Sequence, residues 1–218
     1  MKLDSFLTAA LLVVFSAAPL AAADLEPTLG KKGRLLLEED FDGDTLPQGW
    51  SIKSGEVRVA GGTLHARQKK ERDGRLCLFN CVQPMQDVAI QIDFKFGGRG
   101  GINVSVNPSP GELNKKGHLF SVMITQAVWN ITEHHHKADR NSRSKALASA
   151  PEAFEPGRWF TLLVENKGDE VVVQVQGKKP LRASSKDFRV KKPGIEFRVL
   201  GRENMEINFD NLRVWELK

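Results

Sequence analysis

Residues 86 to 96 alternate with a period of two. Gln86, Val88, Ile90, Ile92, Phe94 and Phe96 fall on one parity, and Asp87, Ala89, Gln91, Asp93 and Lys95 on the other. Only an extended strand with one apolar and one polar face has that repeat. The run Gly97-Gly98-Arg99-Gly100-Gly101 follows. A second alternation sets Ile102, Val104 and Val106 against Asn103, Ser105 and Asn107. Two such strands joined by a short glycine segment predict an antiparallel hairpin. Its apolar face would enter a core, and its polar face would present amides, a carboxylate, a lysine and a hydroxyl.

The rest of the chain carries the same signal. Extended runs are expected at 34–41, 57–66, 75–82, 119–125, 128–134, 158–166, 171–176, 178–183, 194–199 and 205–215, separated by glycine, proline and aspartate turns. No segment has a helical period and no internal repeat is present. Many short strands at close spacing predict an all-β fold, an antiparallel two-sheet jelly-roll sandwich. Residues 138–157, rich in Ala, Ser, Arg and Pro, read as a long loop. Within 205–215 the apolar parity switches between Ile207/Phe209 and Leu212/Val214. A bulge near Asp210-Asn211 would reconcile the two halves.

The first residues read as a targeting segment. Lys2, an apolar run from Phe6 to Ala18, and Ala21-Ala22-Ala23 form a leader with a small-residue cleavage pattern. Residues 1–23 are therefore expected to be a signal peptide, 24–33 a linker and 34–218 one jelly-roll domain. The mature protein is then secreted or periplasmic. No later apolar run is long enough to insert into a membrane. The net charge of +5 comes from lysines and arginines paired at turns, with no tyrosine in the chain. Basic pairs without interleaved aromatics do not suit nucleic acid. The two cysteines, Cys77 and Cys81, sit four apart on an expected strand. Such positions lie ~13 Å apart, beyond the ~7 Å reach of a disulfide. Either the strand turns between them or both are buried thiols.

Three segments carry a resemblance. They are Glu38-Glu39-Asp40-Phe41-Asp42-Gly43 with Trp50, Gly157-Arg158-Trp159-Phe160-Thr161-Leu162 with Lys167-Gly168-Asp169 and Gln176-Gly177-Lys178, and Asn208-Phe209-Asp210-Asn211-Leu212-Arg213-Val214-Trp215. Together they resemble the first strand, a central hairpin and the closing strand of the concanavalin A-like lectin/glucanase superfamily. Within it, the mature chain is most similar to exported bacterial domains grouped with 3-keto-disaccharide hydrolases, often labelled family 16 glycoside hydrolase-like. The resemblance implies a carbohydrate partner and no required cofactor. It also brings a structural calcium into view, tying first strand to last through Asp40, Asp42 and Asp210, since that ion prefers oxygen ligands. The Glu-x-Asp-x-x-Glu string of family 16 glucanases is absent, so a retaining glucanase is not expected.

The candidate site is the polar sheet face. Asp93 and Glu196 are the expected acid/base pair, because two carboxylates across a sheet can cleave a glycosidic bond. Gln91, Lys95, Asn103, Ser105 and Arg198 would hold sugar hydroxyls. Trp129, beside the histidines, is the expected stacking platform. His134, at the head of His134-His135-His136, joins the ligand-binding set. Three roles follow: a hydrolase of glycosides or 3-keto-disaccharides, a non-catalytic glycan-binding or adhesion module, or a structural envelope protein.

Overall fold

The computed structural model describes residues 24–69, 77–113, 117–136, 139–201 and 205–218. The leader expected at 1–23 lies outside them, as do Lys70, Lys115 and Lys116 of the paired lysines. Among the described residues, the strands are β1 (Lys32–Glu39), β2 (Trp50–Ser54), β3 (Glu56–Ala60), β4 (Thr63–Arg67), β5 (Cys77–Met85), β6 (Val88–Phe96), β7 (Gly100–Val106) and β8 (Phe120–Thr125). They continue as β9 (Val128–Glu133), β10 (Lys145–Pro151), β11 (Trp159–Lys167), β12 (Glu170–Val175), β13 (Leu181–Ser184), β14 (Lys192–Gly201) and β15 (Glu206–Leu217). A 3-10 turn spans Lys186–Arg189.

Two antiparallel sheets face each other across one core. Sheet A runs β13-β12-β11-β6-β15-β4-β3, with β1 also on β15, and sheet B runs β10-β9-β8-β7-β14-β5-β2. The jelly-roll sandwich expected from the alternation is the observed fold. Alternate residues of every long strand fill the space between the sheets. Ile90, Ile92, Phe94, Ile102, Val104, Phe197, Phe209 and Val214 are all buried there. An aromatic stack lines the inner face of sheet B, where Trp50, Phe79 and Phe197 lie nearly parallel with Phe79 and Phe197 5.2 Å apart, and Phe209 of sheet A meets Phe79 at 5.7 Å and Phe197 at 5.8 Å across the core.

The hairpin expected of 86–107 does not form. β6 pairs with β11 and β15 in sheet A. β7 pairs with β8 and β14 in sheet B. The glycine run is the crossing between layers, and its glycines serve close approach. A Cβ on Gly100 would stand 1.9 Å from Met205 Sδ, and one on Gly97 would stand 2.7 Å from the Glu206 carbonyl. Gln126 clamps the crossing, donating to Gly98 O at 2.7 Å and accepting from Gly100 N at 2.8 Å. This one event sends the two polar faces of the alternating runs to opposite sides of the molecule.

Other expectations divide. The β3–β4, β8–β9 and β11–β12 hairpins are present. The bulge in β15 lies at Asp210–Arg213, with Asn211 at φ +49°. Both cysteines are buried thiols, and no disulfide joins them. The supposed loop at 138–157 contains β10, which extends sheet B beyond β9. Its Ala-Ser alternation was too weakly apolar to stand out, because an edge strand need bury little. Residues 24–31, read as a linker, lie across the outer face of sheet A. Among the described residues, no helix is long and apolar enough to cross a membrane.

Candidate functional site on the outer face of sheet B

Asp93 lies on β6 between core residues Ile92 and Phe94, so it points out of sheet A. Glu196 lies on β14 between Ile195 and Phe197, so it points out of sheet B. The whole core separates the two carboxylates. They do not form an acid/base pair on one substrate, and the reading that joined them fails with the hairpin.

The outer face of sheet A is closed. Thr161 Oγ1 donates to Asp93 Oδ1 at 2.7 Å, and Asn211 Nδ2 donates to Oδ2 at 3.0 Å. Asp93 thereby fastens the β15 bulge. Burial raises its carboxyl above the usual range despite those bonds. Gln91 accepts from Leu25 N at 3.1 Å. Lys95 lies over the Trp159 ring at 4.8 Å. The N-terminal strap completes the closure. Leu25 and Leu29 pack with Ala89, Leu163, Trp215 and Leu217. Glu165, 0% exposed, accepts from Thr28 N and Leu29 N, each at 2.7 Å. Gln91, Asp93 and Lys95 are thus parts of a packed surface and stand apart from the other candidate site residues.

Trp129 is also removed from a stacking role. It alternates inward on β9, is 1% exposed, and meets the Phe154 ring edge-on at 6.3 Å. Asp40, Asp42 and Asp210 gather near the bulge, where Asp40 Oδ1 accepts from Asp42 N. Burial, with Asp93, Asp42 and Asp40 nearby, pushes the Asp210 carboxyl up to about 6. Among the described residues, no three carboxylate, histidine or cysteine side chains converge as metal ligands. Asp40, Asp42 and Asp210 are thus neighbours, but they do not form the three-side-chain set that the calcium brought into view by the resemblance would need.

Sheet B is arranged differently. Strand register aligns Ser51, Asn80, Glu196, Ser105, Ser121 and Thr132 across its outer face. Leu78, Arg198, Asn103, Met123 and Asn130 form the neighbouring row. Paired residues of antiparallel strands share a face, which is why six strands contribute to one surface. Four expected site residues, Asn103, Ser105, Glu196 and Arg198, are brought together here. His134 joins at the margin, its Nε2 2.8 Å from Ser121 Oγ.

Glu196 is the centre. It is 7% exposed, yet Oε1 accepts no hydrogen bond from the described residues. Three cationic or titratable groups surround it. His118 Nε2 is 3.3 Å and an Arg198 guanidinium nitrogen 3.7 Å from Oε1, while Lys53 Nζ is 3.6 Å from Oε2. His118 is held from behind: its Nδ1 lies 2.7 Å from Asn107 Oδ1. An amide oxygen accepts, so Nδ1 carries the proton and Nε2 faces the carboxylate. The His118 ring meets His134 edge-on at 5.1 Å. Glu196 lines a cleft of about 340 Å³ together with Leu78, Asn107, His118 and Arg198. A buried carboxylate beside a histidine can pass a proton, and flanking cations can hold a developing negative charge.

Sequence reasoning missed His118, Asn107 and Lys53 as site residues. His118 precedes β8 and shares parity with core residue Phe120, so alternation assigns it inward. Lys53 sits at the irregularity between Ile52 and Ser54 in the β2–β5 pairing. Nothing in a linear pattern says that either one reaches β14.

A two-sheet β-sandwich with one polar, recessed outer face is the architecture of the concanavalin- and galectin-like folds. The chain belongs to the family of 3-keto-alpha-glucoside-1,2-lyase-like domains, whose model matches residues 37–215. Solved structures agree on the fold. A non-specific endo-beta-1,3(4)-glucanase of family GH16 superposes with a TM-score of 0.63 at 14% identity, covering 85% of this chain and 91% of its own. The laminarinase from Rhodothermus marinus gives 0.64 at 12%, covering 84% and 97%. The carbohydrate binding module CBM66 from Bacillus subtilis gives 0.59 at 12%, covering 79% and 97%. No curated protein sequence matches. The protein is a carbohydrate-related jelly-roll domain.

Proposed function

We propose that this chain is an exported enzyme that cleaves 3-keto-α-glucosides by elimination at the outer face of sheet B. The observation that carries the reading is the buried Glu196 carboxylate, whose Oε1 accepts no hydrogen bond from the described residues and which lines a cleft together with His118 and Arg198. The family description supports the substrate class. Among the described residues Glu196 is the one carboxylate that lines this cleft, which supports elimination over a two-carboxylate hydrolysis.

A 3-keto group acidifies the hydrogen on C2. Glu196 takes that proton, and the electron pair delocalises onto the C3 oxygen as an enolate. Arg198 and Lys53 stabilise the enolate charge. The pair then returns to form the C1=C2 double bond as the C1–O1 bond breaks. His118, in its imidazolium form, gives its Nε2 proton to the departing oxygen. Products are a 2-hydroxy-3-keto-glucal and a free alcohol. The proton on Glu196 passes to His118 across 3.3 Å, which restores the starting state.

The test is turnover of methyl 3-keto-α-glucoside in D2O by the protein lacking residues 1–23, followed by ultraviolet absorbance of the enone and by NMR. The expected result is enone formation, lowered by about 10²–10⁴-fold in Glu196→Gln, the span of a lost general base. Free 3-keto-glucose that keeps hydrogen at C2 would replace elimination with direct hydrolysis. Saturable binding without turnover would replace it with a glycan-binding module.

A further inference from the structure

Among the described residues, β1, β3 and β13 of sheet A and β2 and β10 of sheet B each have one side that pairs with no strand. Such an edge presents unpaired N–H and C=O groups, and proteins blunt it with short strands, charges or proline. β2 and β3 have five residues each, and β13 has four. β10 ends in Pro151 and lies against β13 of the facing sheet. β1 is the exception. It has eight residues and carries Leu35, Leu36 and Leu37 in a row. Leu36 and Leu37 pack onto the core, whereas Leu35 is 43% exposed. A groove of about 560 Å³ opens beside them, with Leu35, Leu36, Pro84, Met85 and Leu217 as its apolar walls.

The sequence of this edge is self-complementary. It reads Lys32-Gly33-Arg34-Leu35-Leu36-Leu37-Glu38-Glu39, basic before the leucines and acidic after them. Two copies laid antiparallel about Leu36 set Arg34 opposite Glu38 and Leu35 opposite Leu37. Opposite charges and apolar pairs are what stabilise neighbouring antiparallel strands. Charges on β15 extend the pattern. Arg34 lies 2.5 Å from Glu216, and Arg213 Nε donates to Glu38 at 2.9 Å. Across the contact the signs then alternate as Glu216, Arg34, Glu38, Arg213, the last two from the second copy. Register shifts against β15 around Leu35 bend this edge. The charges and leucines, more than a long main-chain ladder, therefore select the partner. None of the other four edges places opposite charges symmetrically about an apolar centre.

We propose that the β1 edge is a two-fold interface, at which a second copy of this chain lies antiparallel about Leu36 and covers Leu35 and the groove beside it. A two-fold axis makes the same patch serve both copies, which is what a self-complementary strand provides. The interface does not depend on the elimination reading, because β1 belongs to sheet A and the Glu196 cleft to sheet B.

The test is the concentration dependence of molecular mass, by sedimentation and light scattering, for the protein lacking residues 1–23. Arg34→Glu, Glu38→Arg and Leu35→Asp are compared with wild type. Wild type is expected to show a monomer–dimer equilibrium that weakens as salt is added, because the charges are exposed. Each charge reversal sets like charges opposite one another and is expected to weaken the dimer by about 10-fold or more. Leu35→Asp is expected to do the same by placing a charge at the apolar centre. An equimolar mixture of Arg34→Glu with Glu38→Arg is expected to recover the dimer, since each variant then meets its opposite charges. Misfolding cannot produce that recovery, and circular dichroism verifies that each variant folds. A wild type that stays monomeric to its solubility limit overturns the interface. So does a dimer that all three variants keep, or a mixture no tighter than either charge variant alone.

Discussion

The two outer faces of this sandwich begin from the same sequence pattern and end in opposite states. On sheet A, Asp93 is bonded by Thr161 and Asn211, and Glu165 by the strap. On sheet B, Glu196 is as buried as Asp93, but one of its oxygens accepts no hydrogen bond from the described residues. Burial of a carboxylate therefore does not distinguish structure from chemistry. Satisfaction does. A buried charge whose bonds are all made is part of the frame. One with an oxygen left unsatisfied, on a residue that lines a cleft beside a histidine and two cations, is a candidate for chemistry.

That contrast can be broken by substitution. The largest difference is expected in activity. Glu196→Gln should abolish most turnover with little change in thermal stability, whereas Asp93→Asn should leave kcat unchanged; parallel kinetics and melting curves check both. On the closed face the effect is on stability. Glu165→Ala leaves two strap N–H groups without their acceptor and should destabilise by about 2–3 kcal/mol, as hydrogen bonds to a charged group do; urea unfolding measures it. Deleting residues 24–31 as well should add little, because the strap is already released.

A smaller effect sharpens the open face. Asn107→Asp places a negative charge on His118 Nδ1–H and favours the imidazolium. The limb of the pH–rate profile that reports His118 should move up by about one unit. Asn107→Leu should lower kcat without that upward move. The smallest effect is on pH-dependent stability of sheet A. The folded Asp210 carboxyl is raised to about 6. Between the unfolded value and about 6 the folded state holds the extra proton, so stability falls as pH rises through that window. Asp210→Asn should flatten this part of the curve in melting experiments from pH 4 to 7. Lys192 behaves as the counterpart. Burial pushes its ammonium down to about 8, although three backbone carbonyls accept from it. The unfolded chain holds that proton to higher pH, so this group adds stability as pH rises from about 8 towards 10.5.

The fold was legible because alternation is a local property. The parity of Val88–Phe96 and the switch at Asp210-Asn211 each needed only neighbouring residues to be read. The candidate site was legible in part. Asn103, Ser105, Glu196 and Arg198 are on one surface, because their outward parity is joined to the pairing of β7 with β14. Asp93 was misplaced because parity gives a face and not a sheet, and the glycine segment looked like a turn. Met205, a hundred residues away, is what those glycines accommodate. Trp129 was misread for a related reason: an aromatic on an alternating strand has two faces to choose from, and only packing against Phe154 decides. His118 reaches Glu196 through a loop, where no period applies.

The most direct test of which face acts is an amide NMR titration of the isotopically labelled protein with 3-keto-trehalose. Shifts clustered at Asn80, Ser105, Ser121, Glu196 and Arg198 are the predicted result. Shifts clustered at Gln91, Asp93 and Thr161, with sheet B unmoved, would contradict the account.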